Sequence, residues 1–412
     1  MRKKLLLILF ILLILLTSLT GCYDARGIED LAYAIALGLD ISDDDLLLLT
    51  LQFSIPDSGS DSGGSSQSNT TDYITVKCSS INSGLSLIDS YINKEVDLSH
   101  CKAIIISEKL ASKGISEYID TFANNIEVRP DCNLIISKCP ASIFIKNAKP
   151  FVETLTARYY QVALRSSEYT GYTTSTKLAD FIASFQTKFM QPYAILGGLN
   201  TGDGLNSNDN YNDSSYSGSD ENYVAGESPI LDTKRVETFG TAIFQDGKLV
   251  GELNGIETIC HLLVTNELKN CTLSIPNPSV QGSNIDLSIN MKEKTKINVD
   301  FINGSPFISI NVYLDGYGLS LDENTDYSSL KDIELINSYA EDYVKVELEN
   351  YLYKLSKEYN ADVVGFGKYA LYYYPTWNEW ISSDWLENFK NSFFKVNVSV
   401  NIKSGYQFNN SP

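Results

Sequence analysis

The residue with the most sharply defined chemistry is Cys22. It follows Leu19, Thr20 and Gly21, so a branched apolar residue and two small residues lead into a thiol, which is the pattern of a lipobox. Each position has a task. The thiol is the nucleophile that takes up a diacylglyceryl group, the small residues admit a peptidase to the bond between Gly21 and Cys22, and the amine then freed can be N-acylated. The upstream residues supply a substrate for export. Arg2, Lys3 and Lys4 form a basic start, and Leu5 to Leu16 contains only Leu, Ile and Phe. That run is shorter than the roughly 20 apolar residues of a membrane span and has the length of a signal-peptide core. Residues 1–21 therefore read as a leader, with an ordinary secretory signal or an uncleaved anchor as the alternatives.

Other reactive residues form no comparable pattern. The chain has two histidines, each beside a cysteine, in the pairs His100-Cys101 and Cys260-His261. If both pairs lie on strands, neighbours point to opposite faces, and neither pair repeats a zinc spacing, so packing roles are expected. Gly365-Phe366-Gly367 lacks both a dinucleotide fingerprint and a phosphate-loop Lys, and reads as a turn. No catalytic, metal or cofactor-binding residue is predicted. Cys78, Cys101, Cys132, Cys139, Cys260 and Cys271 remain beyond Cys22, with their disulfide state open between pairing and packing as small apolar groups. Tyr372, Tyr373, Tyr374, Trp377, Trp380 and Trp385 form either core or an exposed patch for a partner, with packing against a long helix the expectation.

Composition removes whole classes. Acidic residues number 51 against 32 basic ones in 412 residues, a formal charge of -19, and no basic run occurs after Lys4. Nucleic-acid binding is excluded on that ground. Losing Arg2, Lys3 and Lys4 with the leader takes the charge to -22, which lifts the body off an anionic bilayer and leaves attachment to the lipid. Hydrophobic residues at 43% provide a core, and the length suits two or three domains.

The elements that would position these groups are legible as periodicities. Ile28, Leu31, Ala32 and Ile35 recur at helical spacing, with Gly38 as a stop. Leu47, Leu49, Leu51 and Phe53 alternate with polar residues as a strand with one buried face. Residues 57–70 are a Ser/Gly-rich flexible loop. A strand at Tyr73 to Val76, a helix through Ile81 to Ile92, a strand at Ala103 to Ile106, a helix through Ile115 to Phe122 and a strand at Asn133 to Ser137 predict a βαβ-like part with a parallel pair. Residues 201–233 are of low complexity and read as a linker or projecting loop between an N-terminal mixed α/β domain, 22–200, and a C-terminal domain, 234–405. Asp246-Gly247 and Asn303-Gly304 predict hairpin turns. Ile333, Ile336, Ala340, Val344, Leu348, Leu352, Leu355 and Tyr359 trace one stripe of a long helix, and Phe394 to Ile402 alternate as a strand. The fold class is thus α+β and multi-domain, ending in an antiparallel sheet packed against a long helix and a tail at 406–412.

In this order the segments resemble the Ger(x)C family of spore germination lipoproteins, the C subunit of nutrient-germinant receptors in endospore-forming bacteria. The likeness is carried by Gly21-Cys22-Tyr23-Asp24-Ala25-Arg26 with Ile28 to Leu31 and Gly38-Leu39-Asp40, where Tyr23 stands for the family's more frequent Trp, and by Thr50-Leu51-Gln52 with Pro56. It continues through Val96-Asp97-Leu98-Ser99-His100, Leu110 to Gly114, Gly240 to Phe244, Leu249-Val250-Gly251, Glu257-Thr258, and Asp362 to Gly367 with Pro375, Trp377 and Trp385. The resemblance implies a lipid-anchored, non-enzymatic subunit built from mixed α and β domains. It would sit on the outer face of the bacterial cell membrane, the inner membrane of the spore, and work with an A subunit and a polytopic B subunit. The alternative is an autonomous lipid-anchored extracytoplasmic solute-binding protein, which requires a cleft with convergent polar groups; an extracellular enzyme ranks third.

Overall fold

A computed structural model of the chain describes residues 2–18, 27–54, 71–124, 127–149, 156–202, 222–230, 234–278, 282–320 and 330–403. Gly21 and Cys22, the 57–70 loop, most of 201–233 and the 406–412 tail lie outside the described residues.

The first helix, α1 (Arg2–Ser18), is apolar all round after its basic start, and Leu5 to Ile11 all stand more than half exposed. No described helix is long and apolar enough to cross a membrane. The stretch expected to form the next helix is instead a strand, β1 (Leu31–Ile41), after a single 3-10 turn at Ile28–Asp30. Its residues 34–40 are all buried because β1 lies inside a sheet covered on both faces, where apolar residues need not alternate. Gly38 is not a helix stop: a Cβ there would stand 2.7 Å from Ile145 Cδ1 and 3.2 Å from Ala141 Cβ, so glycine admits a helix packed against the sheet.

That sheet contains β2 (Leu47–Ser54), β3 (Thr71–Cys78), β4 (Glu95–Asp97), β5 (Ala103–Ser107), β6 (Asn133–Ser137), β7 (Tyr193–Asn200), β8 (Arg235–Gln245) and β9 (Lys248–Leu253). Its order is β3-β2-β1-β5-β6-β7-β8-β9, with β4 alongside β1. β1, β5, β6 and β7 run parallel, flanked by antiparallel pairs. α2 (Ile81–Ile92), α3 (Glu108–Lys113) and α4 (Ser116–Asn124) cover one face, and α5 (Ala141–Asn147) and α6 (Thr156–Val162) the other. β2 is consequently buried on both faces: Thr50 pairs its hydroxyl with Thr75 at 2.9 Å, and Gln52 Oε1 accepts from Tyr160 Oη at 2.9 Å. The parallel β5–α–β6 unit is as expected.

The 201–233 segment does not separate two sheets. β7 and β8, on either side of it, are antiparallel neighbours, with Asn200 paired to Arg235. β8 and β9, expected in the C-terminal domain, extend the N-terminal sheet and are joined through Asp246 (φ 49°) and Gly247 (φ 78°), the left-handed pair of a tight hairpin turn.

A helix, α7 (Leu178–Phe185), precedes β7, and α8 (Gly255–Thr265) follows β9. Then come β10 (Cys271–Pro276), β11 (Asn284–Met291), β12 (Lys296–Ile302) and β13 (Ser305–Ser320), an antiparallel set, and the long helix α9 (Leu330–Tyr353), about 36 Å at 1.5 Å per residue. Ile336, Ala340, Val344, Leu348 and Leu352 of α9 are all buried, as the stripe requires. Short helices α10 (Gly367–Ala370), α11 (Trp377–Ser383) and α12 (Trp385–Asn388) lead to β14 (Phe393–Lys403), which pairs parallel to β13.

Candidate functional site

The feature that ties the two sheets together is α8. Asn254 accepts from Glu257 N at 2.9 Å while Glu257 accepts from Asn254 N at 2.9 Å, a reciprocal cap, and Asn266 closes the helix in the left-handed conformation. Between these caps Gly255, Ile256 and residues 258–264 are buried all round. A helix without a polar face has to be enclosed, and here one apolar cluster runs from Ile243 and Leu253 through α8 into the β10–β14 sheet and α9. Strand β8 alternates between cores, with Ile243 facing this cluster and Ala242 and Phe244 facing the other.

Polar contacts fix the same seam. Lys354 Nζ reaches both Glu257 oxygens at 2.9 and 2.8 Å, and Tyr359 Oη donates to Glu252 O at 3.0 Å. Gln191 N donates to Asp362 O at 2.8 Å. The Asp362 side chain is fully buried and accepts four hydrogen bonds, from Gly365 N (2.7 Å), Phe366 N (3.0 Å), Gly367 N (2.9 Å) and Trp385 Nε1 (2.8 Å). Burial pushes this carboxyl up to about 6, against the pull of those donors. Gly365-Phe366-Gly367 is thus the turn that the sequence indicated, wound around a carboxylate. A Cβ on Gly367 would meet Phe189 O at 2.5 Å, which explains the glycine.

The two His-Cys pairs serve separate places. His100 is exposed, edge-on to Tyr33 at 4.5 Å, while Cys101 turns into the core. Cys260 and His261 lie on α8 rather than on a strand, so the argument from opposite strand faces does not apply to them; both are buried because the whole helix is. His261 Nδ1 is 2.8 Å from Tyr351 Oη, and burial pushes its imidazole down to about 3. Among the described residues no group of three His, Cys, Asp or Glu side chains could hold a metal ion.

The aromatic cluster divides. Trp380 and Trp385 are core, stacked at 6.0 Å, whereas Trp377 is 56% and Tyr372 90% exposed. Beside the seam, an open cleft of about 470 Å³ is lined by Thr176, Asp180, Thr187, Tyr193, Glu267 and Lys368. Tyr193 Oη donates to Glu267 Oε1 there at 3.4 Å. Asp362, Gln191 and the Glu257–Lys354 pair were not anticipated as seam residues; the available signal was the Asx-type placement of Asp362 ahead of a Gly-Phe-Gly turn.

The architecture places the protein in a known structural class. A solved structure described as "Crystal Structure of the GerBC protein" superimposes with a TM-score of 0.52 at 17% identity, covering 93% of this chain and 98% of that one. Residues 24–196 match the family described as "Spore germination protein N-terminal domain", and 239–405 the family described as "Spore germination B3/ GerAC like, C-terminal". The chain is 24% identical over 400 residues to "Spore germination protein B3" of Bacillus subtilis (strain 168), covering 95% of this chain and 96% of the relative. It is 22% identical over 392 residues to "Spore germination protein KC" of the same organism, covering 93% and 91%. The chain belongs to the Ger(x)C family of spore germination proteins.

Proposed function

We propose that this protein is a lipid-anchored, non-enzymatic subunit of a spore nutrient-germinant receptor, working by assembly with the receptor's A and B membrane subunits. The observation that carries the reading is the likeness to germination families through both halves of the chain. The anchor is Cys22, S-diacylglyceryl and N-acyl modified after cleavage from Gly21. Its support is the Leu19-Thr20-Gly21-Cys22 order behind a helix whose described apolar side chains stand exposed instead of packed. Two or more acyl chains hold durably where one does not, at about 0.8 kcal/mol per buried CH₂. The acidic body then stands off the outer face of the cell membrane, the inner membrane of the spore, and the buried α8 seam makes it a stiff scaffold for membrane partners.

The test is recovery from detergent-solubilised spore inner membrane followed by mass spectrometry, with Cys22→Ala alongside. The expected result is co-recovery of a polytopic transporter-like chain and a second membrane subunit, and release of Cys22→Ala protein from the membrane. Acyl-labelled, membrane-bound Cys22→Ala protein would overturn the anchor; the protein recovered alone would overturn the assembly. A second reading, direct capture of a small solute, draws on the convergence of Asp180, Glu267 and Lys368 on the cleft. It requires saturable heat of binding on titrating amino acids or sugars into the purified protein, abolished by Glu267→Ala.

A further inference from the structure

Cys101 and Cys132 stand just ahead of adjacent parallel strands, offset by one residue in their register. Cys101 lies two residues before β5 and Cys132 one residue before β6, Ala103 pairs with Asn133, and Asn133 N donates to Lys102 O at 3.0 Å. Adjacent strands run about 4.8 Å apart. With a one-residue offset at about 3.3 Å rise, the Cα atoms stand about 5.8 Å apart, inside the roughly 4.4–6.8 Å that disulfides use. The side chains already point the same way: the two Sγ atoms are 3.8 Å apart, both buried, in one apolar cluster. A bond length of about 2.05 Å asks for a further approach of about 1.8 Å, within reach of small side-chain rotations. Cys78 and Cys139 are turned elsewhere, with Sγ contacts to Leu47 O at 3.7 Å and Ser137 Oγ at 3.3 Å.

We propose that Cys101 and Cys132 form a disulfide once the chain has left the cytoplasm, closing a ring around α3 and α4. The timing rests on the reading that residues 1–21 direct export; the pairing does not. The step is thiol–disulfide exchange with an external disulfide, RSSR. One cysteine, having lost its proton, attacks a sulfur of RSSR and expels one thiolate. The second cysteine, likewise deprotonated, then attacks the protein-bound sulfur and expels the other. Two cysteine thiols are oxidised, RSSR is reduced to two RSH, and one Sγ–Sγ bond forms.

Burial sets the order of events. Contact with Cys101 and burial raise the Cys132 thiol well above its ordinary value, so the folded pair offers little thiolate and no path to an oxidant. Oxidation therefore belongs to the stage at which the crossover through α3 and α4 is still open. Once that crossover docks, the same burial shields the bond from reductants. The 3.8 Å contact of the two sulfurs is what singles out this pair, and the bond would staple the entrance of two central strands rather than a surface loop.

The deciding experiment uses the full-length protein, reduced, unfolded and refolded in a mixture of reduced and oxidised glutathione. It is then unfolded and alkylated with iodoacetamide before and after reduction, and its peptides are mapped by mass. The expected result is a single cross-linked species joining the Cys101 and Cys132 peptides, two hydrogens lighter than the free pair, with Cys78, Cys139, Cys260 and Cys271 alkylated without reduction. The thermal midpoint should fall by roughly 5–10 °C on reduction, and a Cys101→Ala, Cys132→Ala protein should show no such dependence. Free Cys101 and Cys132 in refolded protein with native circular dichroism would overturn the proposal, and this readout needs no variant to fold. Alkylation of protein acid-trapped in cells separates the two readings. A bond made on refolding but absent in cells supports the pairing and overturns export; free thiols after refolding overturn the pairing whatever the fate of Cys22.

Discussion

Substitution of His261 by Gln should flatten the acid side of the stability profile. The imidazole is fully buried on α8, its Nδ1 is satisfied by Tyr351, its Nε2 has no hydrogen-bond partner among the described residues, and the Tyr193 ring stands edge-on at 4.4 Å. Burial lowers its pKa from 6.5 to about 3. Between those values the unfolded chain binds a proton that the folded chain refuses, so stability is lost as pH falls through that window. At about 1.4 kcal/mol per pH unit, the whole window is on the order of 5 kcal/mol, of which about 2 kcal/mol is gone by about pH 5. Asp362 acts in the opposite sense. Its pKa is raised from 3.8 to about 6, so the folded chain takes the proton first, and stability is gained as pH falls from about 6 toward 3.8. Both proteins carry Asp362, so their difference isolates His261. Gln retains an acceptor for the Tyr351 hydroxyl and does not titrate. Urea unfolding followed by tryptophan fluorescence, at about pH 7.5 and about pH 5, should show the substituted protein losing about 2 kcal/mol less than the parent. Parallel losses in the two proteins would refute the assignment of acid sensitivity to this side chain.

Two further contrasts follow from the same geometry. Gly240 has φ +90°, and a Cβ there would stand 2.3 Å from Leu253 O, whereas Gly304 has φ +85° with nothing within 4 Å. Gly304→Ala should cost only the left-handed strain, about 1–2 kcal/mol in a thermal melt, and Gly240→Ala should leave little folded protein; similar melts for the two would contradict this. Trp385→Ala removes a buried indole and one of the Asp362 donors, for an expected loss of about 3–5 kcal/mol, while the exposed Trp377→Ala should shift stability by about 0.5 kcal/mol or less. Equal urea midpoints for that pair would mean the aromatic cluster is not divided into core and surface.

What the sequence made legible was local. The α9 stripe, the period-two pattern of β14 and the Asp246-Gly247 and Asn303-Gly304 turns all rest on neighbours within a few residues, and each of those turn residues has positive φ. The misread element, Leu31–Ile41, is central and covered on both faces, so its Ala and Leu residues carry no alternation to oppose a helical spacing. The affiliation of β8 and β9 was hidden for another reason: a polar stretch between two apolar runs looks alike whether it tethers domains or connects paired strands. Asp362 was legible only as part of a turn, since the Trp385 indole that completes its shell comes from 23 residues further on. The Cys101–Cys132 contact did leave a trace, each cysteine standing just ahead of a strand of the parallel unit, but their one-residue offset would face them apart on regular strands, and the turns ahead of β5 and β6 bring the sulfurs together.

The parallel pairing of β14 with β13 bears on how the protein is made. β13 is flanked on one side by β11 and β12, which precede it in the chain, but its other edge waits for the last described strand. During synthesis, α9 and the three short helices must all appear before that edge can be covered. A strand of 16 residues, with Ile308, Ile310, Val312 and Leu314 along it, is meanwhile open to pairing with another chain. A premature stop or a proteolytic cut ahead of Phe393 would make that interval permanent. Such a truncated product would retain every other strand of both sheets and still be the form most prone to aggregate. β14 also carries a partial safeguard of its own: Glu341 and Asn337 of α9 accept from Val400 N and Ile402 N at 2.9 Å, so the closing half of its outer edge is engaged as soon as it docks.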